Sequence, residues 1–141
     1  MPRKLADKKR RAAGSVANYG LHSSVSDDYL DVVAALDPRD VAGVQVFMGF
    51  STDKVGDPRV LHKLFACMPT ILLAHCEHTP SILADEARYR EQNGDAIPAQ
   101  MHPKIRDAEA NLKSSSLAIE LARRFDTRRL RTVCERQWRN G

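Results

Sequence analysis

Cysteine is scarce and odd in number: Cys67, Cys76 and Cys134 are the only three in 141 residues. An odd set without framework spacing does not build a disulfide scaffold, and it points to a reduced, cytoplasmic compartment. Aromatic residues make up 6% of the chain. None is interleaved with the N-terminal bases, as a stacking surface for nucleic acid requires. No apolar run approaches the roughly 20 residues that cross a bilayer, so no membrane partner is expected. The start, Met1-Pro2-Arg3-Lys4-Leu5, lacks the apolar stretch of a secretory signal. What is present, 43% hydrophobic and 28% charged residues, suits one soluble globular domain.

The formal charge of +4 hides a strong asymmetry. Residues 1–11 carry six Lys/Arg against Asp7, and residues 123–141 carry seven Arg against Asp126 and Glu135. Nine bases and fifteen acids are left between them, so the middle is acidic and both ends are basic. Basic ends attract anionic surfaces by simple Coulomb forces. No recognition motif surrounds these, and solvated helix ends are expected in preference to a nucleic-acid partner.

Hydrophobic spacing predicts alternating elements. Residues 3–13 read as a helix, and Val16 to Leu21 as a short strand. Ser26 is a candidate N-cap for a helix over Tyr29, Leu30, Val33, Ala34 and Leu36, which Asp37-Pro38 stops. Val44 to Met48, between Gly43 and Gly49, reads as a strand buried on both faces. Pro58 opens the next helix, with Val60, Leu61, Leu64 and Phe65 on one side. Thr70 to Ala74 is a further buried strand, and Ser81 to Gln92 a helix closing at Asn93-Gly94. Residues 97–103 read as a loop. A long helix is expected from Lys104 to Phe125, with Ile105, Ala108, Leu112, Leu117 and Leu121 inward. Strand, helix, strand, helix, strand, helix is the order of parallel βαβ units. A complete eight-fold barrel typically takes about 250 residues, so the expected fold is α/β, a partial (β/α)8 TIM barrel of three to four parallel βα units.

Three stretches carry a family resemblance. They are Gly43-Val44-Gln45-Val46-Phe47-Met48-Gly49-Phe50-Ser51-Thr52, then Leu73-Ala74-His75-Cys76-Glu77, then Ile97 to Arg106 followed by Glu109 and Ser114 to Ala118. In order and spacing, over residues 13–127, the chain resembles the dihydroorotases of the amidohydrolase superfamily. The resemblance implies a barrel holding one or two zinc ions at the C-terminal ends of its strands, and reversible hydrolysis of dihydroorotate to N-carbamoyl-aspartate in pyrimidine synthesis. Zinc suits that chemistry because it lowers the pKa of bound water to about 7 and polarises a carbonyl. By this resemblance His75 is a metal ligand, and Ser51 and Thr52 belong to a loop over the substrate. Gln45 stands where the family carries a carboxylated lysine; an amide has no free amine to form a carbamate. His102, Arg106 and Glu109 match the family and are expected to position the long helix. Arg88 and Tyr89 are expected on the exposed and packed faces of the helix over 81–92.

The family's His-x-His pair does not occur in the chain. From Arg128 the sequence is Arg-rich without a strand pattern, so residues 128–141 are expected to be a non-native basic tail on a single incomplete domain, 1–141. A compact metal site from His75, Cys76, Glu77 and His78 is not expected, since neighbouring strand residues point to opposite faces. A hydantoinase or allantoinase relative is the runner-up within the class. Outside it, the alternative is a non-catalytic remnant or structural partner that self-associates or completes another barrel.

Overall fold

The computed structural model describes residues 2–49, 58–127 and 130–133. The expected substrate loop, with Ser51 and Thr52, lies outside them. A basic helix α1 (Pro2–Ala12) precedes strand β1 (His22–Ser24). A 3-10 turn then leads into the short α2 (Leu30–Ala34), followed by β2 (Gly43–Phe47) and α3 (Pro58–Cys67). Next come β3 (Leu72–His75), α4 (Thr79–Asn93), α5 (His102–Ile105), α6 (Ala108–Arg124) and β4 (Leu130–Val133). The four strands lie in sequence order, β1-β2-β3-β4, and every pairing is parallel. That is the topology of consecutive βα units. Closure into a barrel is not seen in these four strands.

The two faces of the sheet differ. Val44, Val46, Leu72 and Ala74 alternate along β2 and β3, and each is 0% exposed. They pack under Val33 of α2, Leu64 and Phe65 of α3, and Ala118 and Leu121 of α6. Gln45, Phe47, Leu73 and His75 occupy the intervening positions and are only half-buried. The register pairs Gln45 with Leu73 and Phe47 with His75, so these four share the other face. At its lower end that face is crowded. A Cβ on Gly43 would lie 2.8 Å from Leu73 Cδ1 and 3.0 Å from His22 Cδ2. Side chains from the two flanking strands thus reach over the middle one; the Leu73 methyl can give way to an added Cβ, whereas the Ile71 carbonyl oxygen, 2.9 Å from it, is backbone and cannot.

Several boundaries differ from the sequence reading. The expected strand at Val16 to Leu21 is absent; Val16 is fully exposed, and β1 begins after it. The segment 97–103 is not a plain loop, since residues 99–101 form a 3-10 turn and His102 begins α5. The long helix is broken at Arg106. Asp107 there adopts extended geometry and caps α6, its carboxylate accepting from the Ala110 amide at 2.8 Å. The buried stripe of α6 is Ala110, Ser114, Ala118 and Leu121. Ala108, Leu112 and Leu117, expected inward, are exposed. Small residues face the packed side because they let the helix lie close. The helix ends at Arg124, and just beyond its cap Asp126 adopts left-handed geometry (φ 51°), with the Thr127 amide returning to the Ala122 carbonyl at 2.9 Å. The chain then enters β4, where no strand was expected. Leu130, Thr132 and Val133 supply the strand-forming residue types that the surrounding arginines obscure.

Candidate functional site

Ligands in parallel α/β sheets sit beyond the carboxyl ends of the strands, and the motif residues meet there. β2 ends at Phe47 and β3 at His75. The two rings contact each other across the half-buried face, with centroids 5.4 Å apart and planes tilted by 36°. Gln45 lies on the same face, one alternation further down β2. The structure therefore brings together two of the residues singled out from sequence, His75 and Gln45, on adjacent strands.

The rest of the His75-Cys76-Glu77-His78 run disperses. Cys76 is buried with the core on the helix side. Glu77 is 8% exposed and forms an ion pair with Arg106. His78 caps α4: its Nδ1 accepts from the Ser81 amide at 3.3 Å and lies 2.8 Å from Ser81 Oγ. Accepting an amide proton requires that nitrogen to be unprotonated. Among the described residues, no three His, Cys, Asp or Glu side chains are grouped to hold a metal. One imidazole beside a neutral amide does not fit a zinc ion, and the described residues alone do not constitute the zinc site that the family resemblance implies.

What holds the strand ends in place was only partly visible in the sequence. Gly49, just after β2, lies against the β3–α4 connection. A Cβ there would be 2.5 Å from Glu77 Cβ and 2.6 Å from the Glu77 carbonyl oxygen. The Asn111 side-chain amide donates to the Cys76 carbonyl at 3.0 Å, and Arg106 clasps Glu77 from the break between α5 and α6. The three motif stretches thus meet at one place: Gly49 touches Glu77, Glu77 pairs with Arg106, and α6 reaches back to Cys76. Arg106, expected to position the long helix, sits at the break before α6 and pairs with Glu77. His102 and Glu109 are exposed, and Glu109 pairs with Lys113 at 2.8 Å. That hydrogen bond holds the Lys113 ammonium above its usual range. Arg88 is exposed and Tyr89 packs against Ile82, Ile105 and Ala110, as the sequence indicated.

Replacing Gly49 with alanine should be costly for so small a change. A methyl group cannot occupy backbone space, so the strand end or the Glu77 loop must move. A loss of about 1–3 kcal/mol is expected from such overpacking, read as a lower denaturation midpoint. Wild-type stability in Gly49→Ala would show that the two connections do not approach this closely.

A shallow cleft lies behind the strand ends, bounded by Met48, Leu61, His78, Lys113 and Leu117. His75 does not line it, so it is separate from the face that carries the candidate residues. The Cys67 thiol, near the end of α3, is pushed up by burial, above the usual thiol range. It is thus held in the protonated, less nucleophilic form.

No protein-family model matches the chain, and no curated protein sequence does. Solved structures do match. An L-hydantoinase (dihydropyrimidinase) from Arthrobacter aurescens superposes with a TM-score of 0.78 at 15% identity, over 91% of this chain and 29% of that one. A dihydropyrimidinase from Brevibacillus agri NCHU1002 gives 0.72 at 21% identity, over 91% and 29%. A D-hydantoinase gives 0.70 at 18% identity, over 86% and 29%. The chain has the fold of a stretch of these hydantoinases. It spans a little under a third of their length. The dihydroorotase that the three motifs suggested is not among these three, and what they share with this chain is the fold.

Proposed function

We propose that this chain is part of a hydrolase that opens cyclic amides, that His75 lies at its active-site mouth, and that the chain does not turn over by itself. The observation that carries this reading is the position of His75. It closes a parallel strand, on the half-buried face, beside Phe47 and above Gln45. Opening the ring breaks a C–N bond, which calls for an activated water, a polarised carbonyl and a group to move the proton. At the strand ends the described residues offer one imidazole, His75, and one neutral amide; the other imidazole of that face, His22, lies at its opposite end. Gln45 can donate or accept a hydrogen bond but carries no charge to share with a cation. Dihydroorotate is the substrate favoured by the sequence from Phe47 to Thr52, with Ser51 and Thr52 in the loop over it. A hydantoin ring is the second candidate, favoured by the matching solved structures. Both are cyclic amides.

Two measurements test the reading. Zinc titration should give weak binding of at most one ion, abolished in His75→Ala; two tight equivalents that require His75 would overturn this part. Turnover of dihydroorotate or hydantoin by the chain alone should be undetectable with or without zinc. Loss of a general base alone costs about 10²–10⁴ in rate, and Gln45→Lys should not restore activity, because a single lysine supplies neither further ligands nor the base. Zinc-dependent ring opening by the purified chain would defeat the proposal.

A further inference from the structure

A second set of reactive groups lies apart from the His75 face, where the start of α4 meets α6. Ser81, in the first turn of α4, has its hydroxyl oxygen 2.8 Å from His78 Nδ1. Lys113 of α6, 32 positions along the chain, places its Nζ 3.5 Å from the same oxygen. Two helices thus deliver a hydroxyl, an imidazole and an ammonium to one point.

The protons of this set follow from what each group can do. The Ser81 backbone amide, which only donates, points at His78 Nδ1 at 3.3 Å. That nitrogen therefore carries no proton, and the neutral ring holds its own on Nε2. A charged lysine only donates, so the Ser81 oxygen accepts from Lys113. The hydrogen bond to Glu109 favours that charged form. The Ser81 hydroxyl proton is left to point at His78 Nδ1. Hydrogen bonds thus run one way, from Lys113 to Ser81 to His78. A hydroxyl bonded to an unprotonated base, with a cation beside it, is the arrangement that acyl transfer requires.

The surroundings suit a small acyl group. His78 and Lys113 also border the cleft behind the strand ends, about 200 Å³ in volume, whose other walls include Met48, Leu61 and Leu117. Pockets for drug-sized ligands are larger, roughly 300–1,000 Å³. These apolar walls match a short hydrocarbon chain.

We propose that Ser81 is a nucleophile toward short-chain carboxylic esters, with His78 as its base and Lys113 beside the developing oxyanion. This activity is separate from ring opening at the His75 face. Ser81 Oγ adds to the ester carbonyl carbon while its proton passes to His78 Nδ1, and negative charge collects on the carbonyl oxygen near Lys113. The bond from that carbon to the alcohol oxygen then breaks, and the alcohol leaves with the proton from His78. Water repeats the sequence on the acyl-serine. His78 takes a proton from the water, whose oxygen bonds to the acyl carbon; Ser81 then leaves, recovering its proton from His78, and the free acid departs. Ester and water are the only reactants.

The test uses the full chain and p-nitrophenyl acetate. Acetylation, located by peptide mapping, should be fastest at Ser81, with one p-nitrophenolate released per chain before slower turnover. Ser81→Ala should abolish that rapid release. His78→Asn keeps a residue that caps helices well but supplies no base, so it should slow Ser81 acetylation by about 10²-fold or more. A His78–Ser81 bond that served only to cap α4 would leave the rate unchanged in that variant. Should either variant not fold, mapping on the unmodified chain decides. Acetyl groups arriving first on Lys113, Cys67 or any other residue, no acetylation at all, or an unchanged rate in His78→Asn would each overturn the proposal. Zinc titration reports on His75 and ester cleavage on Ser81, so the two readings fail independently.

Discussion

Arg106→Ala should destabilise the chain by about 3–5 kcal/mol, the range for removing one partner of a buried ion pair. Urea denaturation measures it. The cause lies on the other side of the pair: Glu77 is 8% exposed, and without the guanidinium its carboxylate is left with little solvent to replace the lost partner. Arg106 itself is 28% exposed in its side chain, so it is the glutamate that suffers. The double variant Glu77→Leu with Arg106→Met should recover most of the loss, because an apolar pair in the same space is often no worse than a buried ion pair. If Arg106→Ala melts like the wild type, the clasp between the β3–α4 connection and the α5–α6 break is not a structural element.

Phe65→Ala should cost about as much, roughly 3–5 kcal/mol for a large side chain deleted from a core. Phe65 is 1% exposed and belongs to the cluster with Val44, Val46, Leu72 and Ala118, where helix α3 meets the covered face of the sheet. The backbone contact at this position survives the change, since Thr127 Oγ1 donates to the Phe65 carbonyl at 2.7 Å. The loss therefore reports on packing alone. Leu112→Ala is the matching control. Leu112 is 64% exposed, and its removal should shift stability by no more than about 0.5 kcal/mol. Equal losses at the two positions would place the core elsewhere.

The contrast between Phe65 and Leu112 also shows where sequence reasoning succeeds. β2 and β3 are legible because one face is fully buried and the other half-buried, so both read as short, nearly continuous apolar runs. α3 is legible because Leu61, Leu64 and Phe65 fall at helical spacing around a starting Pro58. α6 misleads because large residues attract attention, while the packed side is Ala110, Ser114 and Ala118, where the helix comes close to its neighbours. β1 is an edge strand among the described residues, with the sequence His22-Ser23-Ser24 and two of its three residues exposed, so no apolar alternation marks it. β4 hides in the sequence because arginines flank and interrupt Leu130, Thr132 and Val133. At the candidate site, His75 was visible from its flanking residues. The pairing of Glu77 with Arg106, 29 positions apart, has no local sequence signal, and neither does the closeness of Gly49 to Glu77. Long-range pairs of this kind depend on how elements pack, which spacing along one element does not report.

The order β1-β2-β3-β4 has a consequence for how the chain is made. Each strand pairs with the one that precedes it in sequence, so a nascent chain leaving the ribosome always finds its partner already synthesised. No strand waits for a later one to be inserted between two earlier ones. Assembly is therefore vectorial: the growing sheet adds one unit at its leading edge, and each helix can settle on the hydrophobic face as soon as its following strand arrives. A polypeptide that stalls after any unit leaves a shorter sheet with the same pairing and the same exposed leading edge. Co-translational folding on arrested ribosomes should accordingly rise in steps, one for each completed strand, with the first large step when Leu72 to His75 emerges and joins β2.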